Sequence, residues 1–250
     1  MKQVKFFMIA AAIFVGITFD SCLDSENENA WDGYDYVTIE ESAWGGYITL
    51  LGDFSGCTFI PSNPSLLQLQ TNEYPERARI FYKLAKDEVI TEGKTEYKIE
   101  IVSCDLLLPV KDFSRTEDTG GPTPTPLIQL DAQNTWAVND YINIGFTFHT
   151  NGKTTVQNFD LFAESVESNT LHVKLNHSEE DVVANYESQG LISFRIPSFT
   201  QLSEIYSSLD LSNILIPFGE NKDSIYIKVT AEGDNNRTLE LNPIRVKIRN

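Results

Sequence analysis

The chain has 250 residues, 41% hydrophobic and 11% aromatic, and a formal net charge of −17. That composition can fill one large or two ordinary packed domains, and it excludes disorder as a global description. The acidic excess excludes nucleic acid as a partner, whose binding rests on Lys and Arg neutralising phosphates, and it opposes charge-driven adsorption to anionic lipid.

Lys2 and Lys5 precede an apolar run from Phe6 to Ile17, which ends at Thr18-Phe19-Asp20-Ser21-Cys22. The run is too short for a stable membrane span, so residues 1–21 read as an export signal. A cysteine just past such a run resembles the lipobox of bacterial lipoproteins. The resemblance implies that Cys22 is acylated, becomes the mature N-terminus and holds the chain on a membrane. Residues 22–35 carry Asp24, Glu26, Glu28, Asp32 and Asp35 with little to bury, which predicts a flexible acidic tether. Acidic residues directly after the cysteine also resemble the surface-export signal of Bacteroidota lipoproteins. That implies an outer-membrane location facing the cell exterior; a periplasm-facing lipoprotein with an ordinary polar spacer is the alternative.

Residues 36–115 read as a small OB-like β-barrel. Short strands are expected at residues 47–52, 58–60 and 66–70. Arg77 to Leu84 sets Ile80, Tyr82 and Leu84 against Arg79 and Lys83, and Glu96 to Val102 sets Tyr97, Ile99 and Ile101 against Glu96, Lys98 and Glu100. Period-two patterns with one polar face mark half-buried antiparallel strands, and about five of them without a helix suit a small barrel. At the entrance of this half Tyr34, Tyr36, Trp44 and Tyr47 cluster with Gly45-Gly46. They are candidates for a ligand-binding surface, or else they plug the barrel ends. Once Cys22 is lipidated, Cys57 and Cys104 remain, either as one disulfide or as two separate buried thiols.

Residues 116–126 combine Gly120-Gly121 with proline alternating with threonine, which cannot join a central strand or helix interior. They predict a linker between two domains; a loop inserted within one domain is the alternative. Residues 127–250 then read as a β-sandwich with one short helix. Tyr141 to His149 points Ile142, Ile144, Phe146 and Phe148 inward and Asn143, Thr147 and His149 outward. Leu171, Val173 and Leu175 oppose His172 and Lys174, and Ile192, Phe194 and Ile196 oppose Ser193 and Arg195. Ser198 and Gln201 form a capping box for a helix bearing Leu202, Ile205, Tyr206 and Leu209. Ile225, Ile227 and Val229 lead through the hairpin signal Gly233-Asp234-Asn235-Asn236 to residues 238–241. Ile244, Val246 and Ile248 form the last strand. Its other face carries Arg245, Lys247 and Arg249, either a docking stripe for an acidic partner or a charged edge that blocks aggregation.

Three segments carry a family resemblance: Ala137-Val-Asn-Asp-Tyr-Ile-Asn-Ile-Gly-Phe-Thr-Phe148, Leu171-His-Val-Lys-Leu-Asn-His177 and Gly190-Leu-Ile-Ser-Phe-Arg-Ile-Pro-Ser198. With the lipobox cysteine and the acidic tether, they resemble the NigD-like lipoproteins of Bacteroidota. The resemblance implies an N-terminal OB-type barrel, a C-terminal β-sandwich and a link to bacteriocin operons. It carries over no functional residue except Cys22.

The search for reactive chemistry leads away from an enzyme. There is no Gly-x-Ser-x-Gly elbow, no His-Glu-x-x-His and no phosphate-binding glycine loop; Gly52-Asp-Phe-Ser-Gly56 has the wrong spacing for the first. His172 and His177 would face opposite ways on one strand, so a solvent-facing His172 and a turn His177 are expected, with no metal site. Glu179-Glu180-Asp181 and Asp234 lack calcium-loop spacing and read as a solvated face. No cofactor is expected. The sequence thus predicts a lipid-anchored, non-catalytic binding or adhesion module for a glycan or protein ligand. An accessory or immunity-type lipoprotein of a bacteriocin system and a glycan hydrolase with an unrecognised carboxylate site are the alternatives.

Overall fold

The computed structural model describes residues 31–41, 46–114, 125–179, 186–206 and 224–247. The expected signal, Cys22, Trp44 and most of the Pro-Thr stretch lie outside the described residues. Among the described residues the protein is all-β with one short α-helix, and the chain divides into two compact units, residues 1–108 and 109–250.

In the first unit β1 (Gly33–Glu41), β2 (Ile48–Gly52), β3 (Thr58–Pro61), β4 (Arg77–Leu84) and β5 (Glu96–Leu107) close a barrel in the order β1-β2-β3-β5-β4. Every neighbouring pair is antiparallel except β3 with β5. This is an OB-type barrel. Alternation fills it: Val37, Leu50, Phe59, Ala78, Ile80, Tyr97, Ile99 and Ile101 all point inward and are buried. Phe59 and Tyr82 meet inside with ring centroids 4.8 Å apart, and burial raises the Tyr82 phenol well above its ordinary range. Gly52 is needed at one end, where a Cβ would overlap Ser55 Oγ and Asp35 Oδ2 and stand 3.0 Å from Phe59.

Two expectations need correction here. The tether expected over residues 22–35 has given way to β1 by Gly33, and Asp35 points into the barrel. No strand forms at residues 66–70; a 3-10 turn, Pro64–Leu67, takes up its start, because proline fixes φ at the first position of a tight turn. Of the two readings left open for Cys57 and Cys104, the structure has separate free thiols, Cys57 buried and Cys104 half-buried.

The second unit holds β6 (Val110–Asp112), β7 (Leu127–Val138), β8 (Tyr141–His149), β9 (Phe159–Glu167), β10 (Thr170–His177), β11 (Glu187–Arg195), β12 (Ser224–Gly233), β13 (Arg237–Glu240) and β14 (Ile244–Lys247). They form one curled sheet ordered β6-β11-β8-β7-β12-β10-β9, with β13 and β14 also paired to β12. The expected boundary at residues 116–126 is therefore displaced. β6 already pairs with β11, so that stretch falls between two strands of one sheet rather than between units.

The core gathers the inward rows of the strands, among them Ile142, Ile144, Phe146, Phe194, Leu171, Val173, Ile227 and Val229. Asn143, expected outward, is fully buried. It accepts from Ser193 Oγ at 2.6 Å, so its burial leaves a satisfied polar pair inside the fold. The helix α1 (Phe199–Ile205) starts at the expected capping box, with Ser198 Oγ accepting from Gln201 N at 3.3 Å. The expected hairpin turn is present, with Asn235 and Asn236 at φ 58° and 57°, a left-handed geometry that asparagine tolerates.

Candidate binding face of the barrel

β1 and β4 pair so that Tyr34 lies opposite Phe81, Tyr36 opposite Arg79 and Thr38 opposite Arg77, all on the outer face. The ring centroids of Trp31, Tyr34 and Phe81 are 5.1–6.1 Å apart, and Trp31 and Tyr34 are 43% and 48% exposed. Asp32 fixes the approach to this cluster: its N–H donates to Tyr82 O, and its Oδ2 accepts from Leu84 N, both at 2.8 Å. The rings therefore stand on paired backbone rather than on a free end.

Beside them Arg79 forks onto Asp105, with Nε to Oδ1 at 2.9 Å and Nη2 to Oδ2 at 2.5 Å. The guanidinium holds the Asp105 carboxyl below its usual range. Arg79 also donates to the Tyr36 hydroxyl at 3.4 Å.

The other end of this face is covered. Residues 53–56 turn over it, and Phe54 packs edge-on against Tyr36 with centroids 5.6 Å apart. The turn is pinned by a wholly buried ion pair between Arg77 and Asp53, and Arg77 Nη1 donates to Thr38 Oγ1 at 2.7 Å. From inside the barrel, Asp35 accepts from Phe54 N at 3.0 Å and Ser55 N at 3.1 Å. Burial raises the Asp35 carboxyl above its ordinary range; hydrogen bonds from Ser55 and Phe54 oppose the shift, and the nearby Asp53 charge adds to it.

The four predicted site residues thus separate. Tyr34 belongs to the exposed cluster, and Tyr36 is buried beneath Phe54. Tyr47 is 74% exposed and touches no other ring among the described residues. Trp44 lies outside the described residues. The barrel is filled by Phe59, Tyr82 and Tyr97, so none of the described candidates plugs it. The sequence reading missed Trp31, Phe81, Arg79 and Asp105. One signal was available: Phe81 is a large apolar residue between Arg79 and Lys83 on an otherwise polar row.

Asp35, Asp53 and His177 are withdrawn from solvent. Asp35 and Asp53 are close in space, but their side chains are sealed from solvent, so they do not form a cleft for a sugar. His177, expected in a turn, instead lies on the core side of β10 and is 1% exposed. It stacks on Phe159 with centroids 4.6 Å apart and an interplanar angle of 10°. Burial lowers its pKa, against the pull of Glu179, whose Oε2 is 3.4 Å from Nε2. Glu179 is itself buried rather than on a solvated face, accepting from Asn151 N at 3.2 Å and from the Thr154 hydroxyl. Among the described residues no three His, Cys, Asp or Glu side chains gather as a metal site.

Residues 128–212 match the model of the NigD-like C-terminal beta sandwich domain. These residues form a NigD-like C-terminal domain. No curated protein matches the chain in sequence. Its fold is found in a solved protein named as toxin-related from Parabacteroides distasonis, at TM-score 0.55 and 15% identity, covering 84% of this chain and 93% of that one. A protein named as a lipoprotein from Bacteroides fragilis has TM-score 0.53 and 15% identity, covering 87% and 98% of the two chains. An uncharacterised protein from Parabacteroides merdae has TM-score 0.51 and 10% identity, covering 86% and 96%. At these identities the likeness is one of fold, and it spans both units of the chain.

Proposed function

We propose that this NigD-like protein is a non-catalytic binding protein of the outer membrane, held outside the cell by lipid on Cys22, with a glycan as ligand. One observation carries the ligand assignment: three mutually packed rings stand partly exposed on a paired strand face, next to the Arg79–Asp105 fork. Aromatic faces offer a sugar's C–H surface a rigid apolar platform at low entropic cost. The adjacent guanidinium and carboxylate supply donors and acceptors for ring hydroxyls. Because both are already held by each other, little ordering remains when a ligand arrives.

Native affinity electrophoresis through gels containing xylan, starch, mixed-linkage β-glucan or mannan tests this reading. The wild-type chain is retarded by at least one polysaccharide, and Tyr34→Ala with Phe81→Ala abolishes the retardation. Tyr47→Ala leaves it intact, since Tyr47 stands apart from the rings. Retardation by none of the four, or retardation indifferent to loss of the rings, overturns the proposal.

A further inference from the structure

β14 is an edge strand. It pairs with β12 through Ile227–Ile244, Tyr226–Arg245, Ile225–Val246 and Ser224–Lys247, and no other described strand hydrogen-bonds to it. A cleft of about 320 Å³ opens beside it, lined by Arg245, Val246 and Lys247, by the β7–β8 turn from Ala137 to Asp140, and by Ile196 and Ser224. Val246 is buried, whereas Arg245 and Lys247 project outward at alternate positions. Tyr226, opposite Arg245, is 43% exposed on the same face.

The charge here runs against the rest of the molecule. The chain has 36 acidic and 19 basic residues, so a row of two cations without a carboxylate between them stands out by sign. On the same row Lys228 meets Glu240 at 2.7 Å. Arg245 and Lys247 have no acidic partner within ion-pair distance among the described residues. A charged edge that only prevents self-association needs no cleft beside it. An edge that accepts a strand needs unpaired backbone groups, space alongside and a charge pattern matching its guest.

We propose that the β14 edge and its cleft take up an acidic peptide segment of a partner protein as an added strand. Alternate residues of an extended peptide lie about 7 Å apart, the same repeat that separates Arg245 from Lys247. Carboxylates at alternate guest positions would meet the two cations as cross-strand pairs, while main-chain hydrogen bonds continue the ladder beyond β14. This site is in the second unit and does not depend on the barrel's glycan reading.

The test uses the full chain and a fluorescein-labelled, end-blocked hexapeptide of alternating threonine and glutamate, read by fluorescence anisotropy. The peptide binds the wild type, and Arg245→Glu with Lys247→Glu weakens binding about tenfold or more. Both side chains are exposed, so the melting temperature of that variant should stay near the wild-type value. A peptide with glutamine for glutamate binds more weakly, and one N-methylated at alternate residues, so that it cannot donate to an edge strand, loses binding. No binding to the wild type, equal binding by the charge-reversed variant, or full binding of the N-methylated peptide overturns the proposal.

Discussion

Arg77→Met tests whether the turn over the barrel face is held by its buried ion pair. The substitution keeps an unbranched chain that can pack where the arginine stem lies, and it removes the charge. Asp53, whose side chain is fully buried, then loses the Arg77 guanidinium, and Thr38 Oγ1 loses its 2.7 Å donor. Removing one member of a buried pair costs about 3–5 kcal/mol, because the remaining charge stays desolvated and uncompensated. Replacing both, as Arg77→Met with Asp53→Leu, leaves no orphaned charge and returns the barrel to within about 2 kcal/mol of wild type. The two units need not unfold together, so a whole-chain melt would mix them. Hydrogen–deuterium exchange of the β1 and β4 amides isolates the barrel. It is expected to quicken by roughly two to three and a half decades in the single variant and to recover most of that in the double. A single variant within about 1 kcal/mol of wild type, or a double variant falling as far as the single, refutes the reasoning.

His177 ties stability to pH. Its folded pKa lies below the ordinary imidazole value, so the unfolded chain takes up the proton first as pH falls through about 6.5. Its contribution is intact above that point and is lost progressively below it, until the folded pKa is passed. His177→Leu should therefore show a smaller fall between pH 7 and pH 5 than the wild type in the stability that amide exchange reports for β9 and β10; parallel profiles would show that the ring does not titrate as described. Cys22→Ala is expected to move the protein from the membrane fraction to the soluble fraction and to prevent metabolic labelling with an alkyne fatty acid. An alanine variant that stays membrane-bound and labelled would overturn the anchor.

Much of the architecture was legible in the chain because half-buried strands advertise themselves. Residues 77–84, 141–149 and 171–177 alternate cleanly, and the Ser198–Gln201 capping box marked the one described helix. β1 was hidden because its inward row begins with Asp35 and its outward row carries Tyr34 and Tyr36, the reverse of the usual polarity. β7 was hidden by its middle, where Asp131 accepts from Gln133 N and Asn134 N and breaks the pairing register. His177 could have been placed by parity alone, since it continues the inward row of Leu171, Val173 and Leu175. The binding face was only half readable. Tyr34 was visible, but its contacts with Phe81 and Trp31 arise from cross-strand register, which no local pattern encodes.

The central place of β12 bears on the order in which the molecule can be assembled. The barrel's strands are all supplied by residue 107, so that unit can close as soon as they have emerged. The second sheet cannot. β12 joins β7 and β10 from earlier in the chain to β13 and β14 from its end, and its partners reach from Leu127 to Lys247. Such distant pairings must close large loops before they are rewarded, so they form slowly. Until β12 arrives, β7 and β10 each lack a partner along one edge, which leaves them exposed to the wrong neighbour. For this chain the vulnerable interval is the making of its last quarter, when a finished barrel is already joined to a sheet still waiting for its middle strand.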